Sequence, residues 1–198
     1  MRPVLPVIAA LLAGICAAHG APVAKPAPPA APAAKTPAPR PPLEQLFAEL
    51  KAAPTTEDAK PIEDELLAQF EQSGSATVDL LMTRAQAALA AGDRKMARQL
   101  IDSITDIAPD FAEAWHRRAV LQQDSGDDEG AMISLQRTVK LNPREFLAYS
   151  ELGGMLEDYG DKKAALAAYQ KALALDPQIE GVAKHVEELS REVEGEKI

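Results

Sequence analysis

The sequence predicts an all-α fold, a right-handed superhelix of antiparallel helix pairs, on the basis of three observations. Pro109, Pro143 and Pro177 lie 34 residues apart. Gly and Asp recur side by side with the same period. Between these residues, apolar side chains return every three or four positions, the spacing that places them on one face of a helix. Repeats of about 20 to 50 residues with these features are typical of stacked helical units.

The first 20 residues have the order of an export signal. Arg2 precedes an apolar run that ends at Ala18, and Gly20 comes directly before Ala21. This order predicts a signal peptide over residues 1–20, cleaved after Gly20. A retained membrane anchor is the alternative, although the run is shorter than the ~20 residues that a membrane-spanning helix needs. Cleavage would also remove Cys16, the one cysteine of the chain.

Residues 21–42 consist almost wholly of Ala and Pro, with three cations and no acid. Such a composition cannot bury a core and favours extended polyproline conformation, so we expect a disordered linker. At ~3.1 Å per residue it would reach about 70 Å at most. It is interpreted either as a spacer that holds the folded part away from a membrane or as a lead sequence left over from export.

Residues 43–75 predict two short amphipathic helices. Moving the 34-residue frame back by one period places Phe47 and Leu67 at core positions. The same frame puts Lys51 where a small residue is needed and Pro54 within the first helix. We therefore expect a degenerate repeat or a cap at the N-terminal end of the array.

Three full repeats follow, over residues 78–111, 112–145 and 146–179, each with a helix A and a helix B. Gly at position 15 is expected to end helix A in a left-handed turn, and Asp at position 16 to cap helix B. These residues are Gly92, Asp93, Gly126, Asp127, Gly160 and Asp161. Small residues at positions 8 and 20 let the two helices approach closely; they are Ala85, Ala97, Ala119, Ala131, Gly153 and Ala165. Residues 180–194 predict a C-terminal capping helix with one apolar stripe. Counting the flanking helices, we expect about nine.

The third repeat resembles the tetratricopeptide repeat (TPR) family at each of its characteristic positions. The matching residues are Tyr149, Leu152, Gly153, Leu156, Ala165, Tyr169, Ala172 and Pro177. Arg84 and Arg118 at position 7 and Gln122 at position 11 depart from the family pattern in the first two repeats. The resemblance implies the TPR fold, but TPR proteins serve many processes, so it does not select a function.

The charge and the aromatic residues argue against nucleic-acid binding. The chain has a formal net charge of -9, and residues 43–198 carry 17 basic against 30 acidic side chains. No basic patch stands out to bind phosphates. Trp115, Tyr149 and Tyr169 occupy repeat-core positions, so they are interpreted as packing residues and not as a stacking platform.

Motifs for catalysis, cofactors and metals are absent from the sequence. It contains no phosphate-binding loop, no dinucleotide fingerprint, no H-E-x-x-H and no cysteine pair. His116 and His185 are interpreted as lone surface histidines. The acidic cluster around Asp127 lacks the ligand spacing of a calcium loop and is interpreted as a turn with a helix cap. We expect a protein that is not an enzyme and has neither cofactor nor metal.

The resemblance implies a ligand-binding groove lined by positions 2, 5, 9 and 12 of each helix A. The matching residues are Asp79, Met82, Gln86, Leu89, Glu113, His116, Val120, Gln123, Leu147, Ser150, Gly154 and Glu157. This set gives an apolar floor with an acidic rim, so the expected ligand is an apolar segment flanked by Lys or Arg. The basic residues that chaperone-binding TPRs use to clamp a terminal carboxylate are missing, with Met82, Gln86 and Leu147 at those positions.

The sequence thus favours an exported scaffold or adaptor that binds a peptide or protein in the groove. The expected location is the periplasm of a Gram-negative bacterium, with membrane contact only through an uncleaved N-terminus. A structural alternative is an envelope spacer that self-associates or packs on a complex through its outer face. An enzyme is disfavoured because the groove residues offer no nucleophile paired with a base.

Overall fold

The computed structural model of the protein describes residues 40–195, and within them it contains nine α-helices and no strand. The predicted all-α class is confirmed. The helices are α1 (Leu43–Ala52), α2 (Thr56–Phe70), α3 (Ala76–Ala90), α4 (Arg94–Ile107), α5 (Ala112–Asp124), α6 (Asp128–Leu141), α7 (Phe146–Asp158), α8 (Lys162–Leu175) and α9 (Val182–Gly195). None of these helices is both long enough and apolar enough to cross a membrane.

The turn inside each repeat has the expected geometry. Gly92, Gly126 and Gly160 have φ values of 77°, 76° and 80°, which side chains with a Cβ rarely adopt. The next residue, an Asp in each repeat, accepts the backbone N–H three residues on and so caps α4, α6 or α8. These three helices end two residues before the repeat prolines, because the residue preceding proline is forced out of helical geometry.

Close packing of each helix pair depends on the small residues at positions 8 and 20. The six are Ala85, Ala97, Ala119, Ala131, Gly153 and Ala165, and all are buried. Gln122, a polar residue at a core position, is buried too and is satisfied there. It accepts a hydrogen bond from Ser134 Oγ at 2.6 Å and donates one to Asp127 Oδ2 at 3.0 Å.

The helix pair α1–α2 contacts the third repeat instead of forming a cap confined to the first. Its buried residues, among them Phe47, Leu50 and Leu66, share one apolar cluster with Phe146. Arg144 binds Glu44 at 2.7 Å, with its guanidinium 4.9 Å from the centre of the Phe47 ring.

Lys51 occupies a place where a repeat needs a small buried residue, and here it is exposed. The buried apolar residues of α1 and α2 lie in one cluster with those of the third repeat. The role of this pair as a degenerate repeat or a cap stays a prediction.

The predicted boundaries at the two ends have different outcomes. The signal peptide and most of the linker, residues 1–39, lie outside the described residues. The last part of the predicted linker is ordered: Arg40 Nη1 donates to the carbonyl of Ala68 at 3.3 Å, and Gln69 Nε2 donates to the carbonyl of Pro41 at 2.9 Å. At the other end, α9 packs against α8 and buries Val182 and Leu189.

Candidate functional site

Helix α2 lies across the concave face that α3, α5 and α7 form. Near its start, Thr56, Lys60 and Glu63 line a cavity of about 290 Å³ together with Leu147 and Ser150 of α7. A 15-residue helix is about 22 Å long. Neighbouring packed helices are about 8 to 10 Å apart, so α3 and α7 are separated by two such distances. Helix α2 is long enough to reach from the third repeat to the first.

The residues that follow α2 fasten it to the first two repeats. Glu71 Oε1 accepts hydrogen bonds from Gln86 Nε2 at 3.1 Å and from Arg117 Nη2 at 2.6 Å. Asp79 Oδ1 accepts from the hydroxyl of Ser73 at 2.6 Å and from its backbone N–H at 3.1 Å. Four expected groove residues, Asp79, Gln86, Leu147 and Ser150, therefore face a segment of the same chain.

A buried cluster of charges occupies the middle of the concave face. Glu113 Oε1 accepts from Arg117 Nε at 2.5 Å, and Glu113 Oε2 lies 3.7 Å from His116 Nδ1. The other ring nitrogen of His116, Nε2, lies 3.0 Å from Glu151 Oε2. Glu113 and His116 are only 3% and 7% exposed. Two expected groove residues are thus part of an ion-pair network.

The surroundings of His116 strongly favour its charged form. Burial alone would lower the pKa of His116, but the carboxylates beside its two nitrogens outweigh burial and raise the pKa to about 10. For Glu113, burial would raise the pKa, whereas His116 and Arg117 lower it below its ordinary value. Both groups are ionised at neutral pH as a consequence.

The expectation that His116 is a lone surface histidine is wrong. Three of its charged neighbours, Arg117, Glu145 and Glu151, were also absent from the expected groove set. A partial signal exists in the sequence, since Glu113, His116 and Arg117 are spaced by three and four residues on one helix. Glu151 follows His116 by 35 residues, one period plus one, so the repeat register places the two on neighbouring helices.

The second histidine also has partners. His185 stacks on the ring of Tyr169 with 5.0 Å between ring centres, and its Nδ1 lies 3.0 Å from Glu157 Oε2. The same carboxylate oxygen accepts a hydrogen bond from the Tyr169 hydroxyl at 3.1 Å. Glu157 therefore joins α7 to α8 and α9, and the expectation of a lone histidine is wrong here as well.

The remaining expected groove residues differ in exposure. Met82 is buried in the core of the first repeat, and Leu89 packs against that core. Gly154 is half-buried, with the hydroxyl of Tyr169 nearby. Val120 is 37% exposed and Gln123 is exposed, so this part of α5 remains open to solvent.

The described part of the chain contains one group of three residues able to hold a metal ion. One donor atom each of Glu113, His116 and Glu145 lies within 4.8 Å of the other two, and all three residues are buried. The sequence predicts no metal site. It gives no sign of this group because Glu145 enters the cluster only through the packing of α7 against α5.

Comparison with known proteins identifies the repeats. Residues 112–145 and 147–179 match the model of the tetratricopeptide repeat. These two segments are similar to tetratricopeptide repeats. They coincide closely with the second and third repeats predicted from the 34-residue period.

Two relatives with TPR-type or chaperone-organizing names are similar to parts of this chain. A TPR repeat-containing protein of Rhizobium etli is 29% identical over 160 residues, which cover 81% of this chain and 78% of that protein. The Hsp70-Hsp90 organizing protein of Triticum aestivum is 31% identical over 104 residues, 52% of this chain. The matched part is only 18% of the wheat protein.

Solved TPR structures have the same fold. The Sgt2 TPR domain of Aspergillus fumigatus has a TM-score of 0.53 and 25% identity, covering 62% of this chain and 83% of that one. The first TPR of Spaghetti (RPAP3), bound to an Hsp90 peptide, has a TM-score of 0.53 at 18% identity over 59% of this chain and 92% of that one. A mutant O-GlcNAc transferase of Thermobaculum terrenum has a TM-score of 0.52 and 26% identity over 60% of this chain but 23% of its own.

Proposed function

We propose that this protein is a non-enzymatic scaffold or adaptor of the bacterial cell envelope, exported to the periplasm of a Gram-negative bacterium. It binds a segment of a partner protein on the part of the concave face that α2 leaves open. The export signal predicted for residues 1–20 supports the location. Peptide binding by a domain of this fold, as in the first TPR of Spaghetti with its Hsp90 peptide, supports the interaction role.

The exposure of Val120 carries this proposal. Val120 lies at a groove-lining position of α5, is 37% exposed, and is followed one turn later by the exposed Gln123. At the neighbouring helix, Glu157 contributes a carboxylate that is partly exposed. An exposed apolar residue on a chain with a formal net charge of -9 fits an apolar segment with Lys or Arg at its flanks.

The structure changes which residues contribute to that acidic rim. Glu113 is buried and paired with Arg117, and Asp79 binds Ser73. Neither is free to steer a ligand. Reversing the charge of Glu113 would disrupt the buried cluster, so the test of this surface must use exposed positions.

A matched pair of substitutions tests the proposed surface. A photo-crosslinking amino acid at Gln123 is used to capture the partner in the native envelope. The affinity of the purified partner is then measured with Val120→Glu and with Ile133→Glu. Val120→Glu should weaken binding by about 1 to 3 kcal/mol, because the new carboxylate would be desolvated without a partner. Ile133→Glu, at a more exposed apolar position on α6, should leave binding unchanged.

The opposite result favours the structural alternative. Ile133, Met132, Leu156 and Tyr159 line an apolar cavity of about 510 Å³, and Tyr159 is 60% exposed. If Ile133→Glu abolishes binding and Val120→Glu does not, the interaction surface is this cavity, and the groove proposal is wrong.

The linker provides a second test of the alternative. Residues 21–39 are deleted while Arg40 and Pro41, which contact α2, are kept. An adaptor should retain its affinity for the partner in solution. If the protein is a spacer, the deletion should leave any affinity for a partner unchanged in solution but should abolish the function of the protein in the cell.

A further inference from the structure

We propose that Glu113, His116 and Glu145 form a binding site for a divalent cation of the zinc type. Glu113 and His116 lie one turn apart on α5, and Glu145 immediately precedes α7. Their donor atoms lie within 4.8 Å of one another. Imidazole combined with carboxylate is a donor set that suits Zn²⁺.

Each of the three groups is held through one atom and has another atom available. Glu113 Oε1 accepts from Arg117, and Oε2 faces the ring of His116. Glu145 Oε2 accepts from Asn142 Nδ2 at 3.0 Å. The other oxygen of Glu145, Oε1, is buried and has no hydrogen-bond partner.

The unpartnered oxygen of Glu145 is the second observation that points to a cation. Glu145 is fully buried, and an unsatisfied buried acceptor costs roughly 1 to 3 kcal/mol. A bound cation would give the oxygen a partner and would make its burial favourable.

Glu151 holds the histidine in the orientation that a metal ligand needs. When a metal takes the place of the Nδ1 proton, the Nε2–H of His116 would still donate to Glu151 Oε2 at 3.0 Å, and Nδ1 would bind the metal. Nδ1 lies 3.7 Å from Glu113 Oε2, close to the ~3.4 Å that separates two ligands of tetrahedral zinc with bonds of about 2.1 Å. A carboxylate that fixes the tautomer of a ligating histidine is a recurring feature of zinc sites.

Glu151, whose side chain is 33% exposed, lies at the solvent side of His116 and marks the route by which a cation would enter.

Calorimetry on the full chain, purified without a histidine tag and stripped with chelator, tests the site. Zinc is titrated into the protein at a fixed pH, so that affinity and stoichiometry are measured together. We expect one zinc per chain with a Kd in the micromolar range or below. Glu145→Gln should weaken zinc binding by about 30-fold or more, since it keeps the shape but removes the charge.

Two controls separate this site from adventitious binding and from unfolding. His185→Gln removes the other histidine among the described residues and should leave affinity and stoichiometry unchanged. Glu145→Gln should melt in chelator at or above the wild-type temperature, because Gln can still accept from Asn142. The proposal is overturned if zinc binds Glu145→Gln as tightly as wild type, or if wild type does not bind zinc up to about 1 mM.

Discussion

The ring of Tyr169 lies directly against the backbone of Gly153. A methyl group placed on Gly153 would be 2.7 Å from Cδ1 of that ring, closer than real carbon contacts allow. At the neighbouring Gly154, an added methyl group would meet the Tyr169 hydroxyl at 3.5 Å, an ordinary contact. Two adjacent glycines of α7 therefore differ sharply in the space beside them.

This difference predicts opposite effects of one substitution. Gly153→Ala should lower the free energy of unfolding by about 1 to 3 kcal/mol, because the Tyr169 ring must move in a packed core. Gly154→Ala should leave stability unchanged or raise it by about 0.5 to 1 kcal/mol, since alanine favours the helix. Urea denaturation of both variants measures this. Equal effects would show that α7 and α8 do not pack in this register.

The pairing of Glu71 with Arg117 predicts how firmly α2 stays on the groove. Glu71→Lys removes the acceptor for Gln86 and Arg117 and places two cations together. We expect the backbone amides of α2 to exchange with deuterium several-fold faster than in wild type. Asp64→Lys, at a position of α2 whose side chain is 66% exposed, is the matched control and should change little. If deuterium exchange of the α2 amides is accelerated equally in both variants, the Glu71 contact is not what holds α2 on the groove.

The carboxylates of Asp176 and Glu63 make the docking of α2 sensitive to pH. Burial and the nearby charge of Glu63 raise the pKa of Asp176 from 3.8 to about 6. Because the pKa of Asp176 is higher in the folded state than in the unfolded chain, protonation of Asp176 stabilises the fold. This contribution to the free energy of unfolding is complete below pH 3.8 and is lost as the pH rises through about 6. Above that pH the buried carboxyl of Asp176, at the end of α8, carries a charge close to Glu63 of α2.

Asp176→Asn should therefore be more stable than wild type at pH 7.5, by roughly 1 to 3 kcal/mol. The advantage should shrink toward zero at pH 4. Asn142 occupies the equivalent place in the second repeat. Its side chain accepts a hydrogen bond from a backbone N–H at 3.1 Å, as Asp176 does at 2.9 Å. The turn can therefore hold an asparagine at this position. Denaturation curves at both pH values measure the difference. A stability difference that is the same at both pH values would contradict the raised pKa of Asp176.

Export predicts that the mature protein begins at Ala21. Intact-mass measurement of the protein purified from its native envelope distinguishes the possibilities. A mass starting at Ala21 supports cleavage after Gly20, while a retained Met1 would support the membrane-anchored alternative. Substituting Gly20 by a bulky residue should block cleavage, because signal cleavage sites need small residues.

The sequence by itself determined the helical repeats. Their signals are local: Gly126 gives the left-handed turn, Asp127 caps the next helix, and Pro143 ends it. Each works within a few residues of the chain and recurs every 34, so the period alone predicted the helix pairs and their register. The small residues, such as Gly153 against Tyr169, could be predicted in the same way, because contacts within a helix pair repeat.

Only the tertiary structure decided what covers the groove and what the groove contains. Glu71 meets Arg117 across 46 residues, and Glu44 meets Arg144 across 100. No period links these pairs, so nothing in the sequence placed α2 on the concave face. The burial of His116 follows from the same cause, since its position in the repeat predicts exposure. Glu145 comes close to His116 only when α7 packs on α5. No local sequence pattern encodes that packing, so the sequence does not predict the charge cluster.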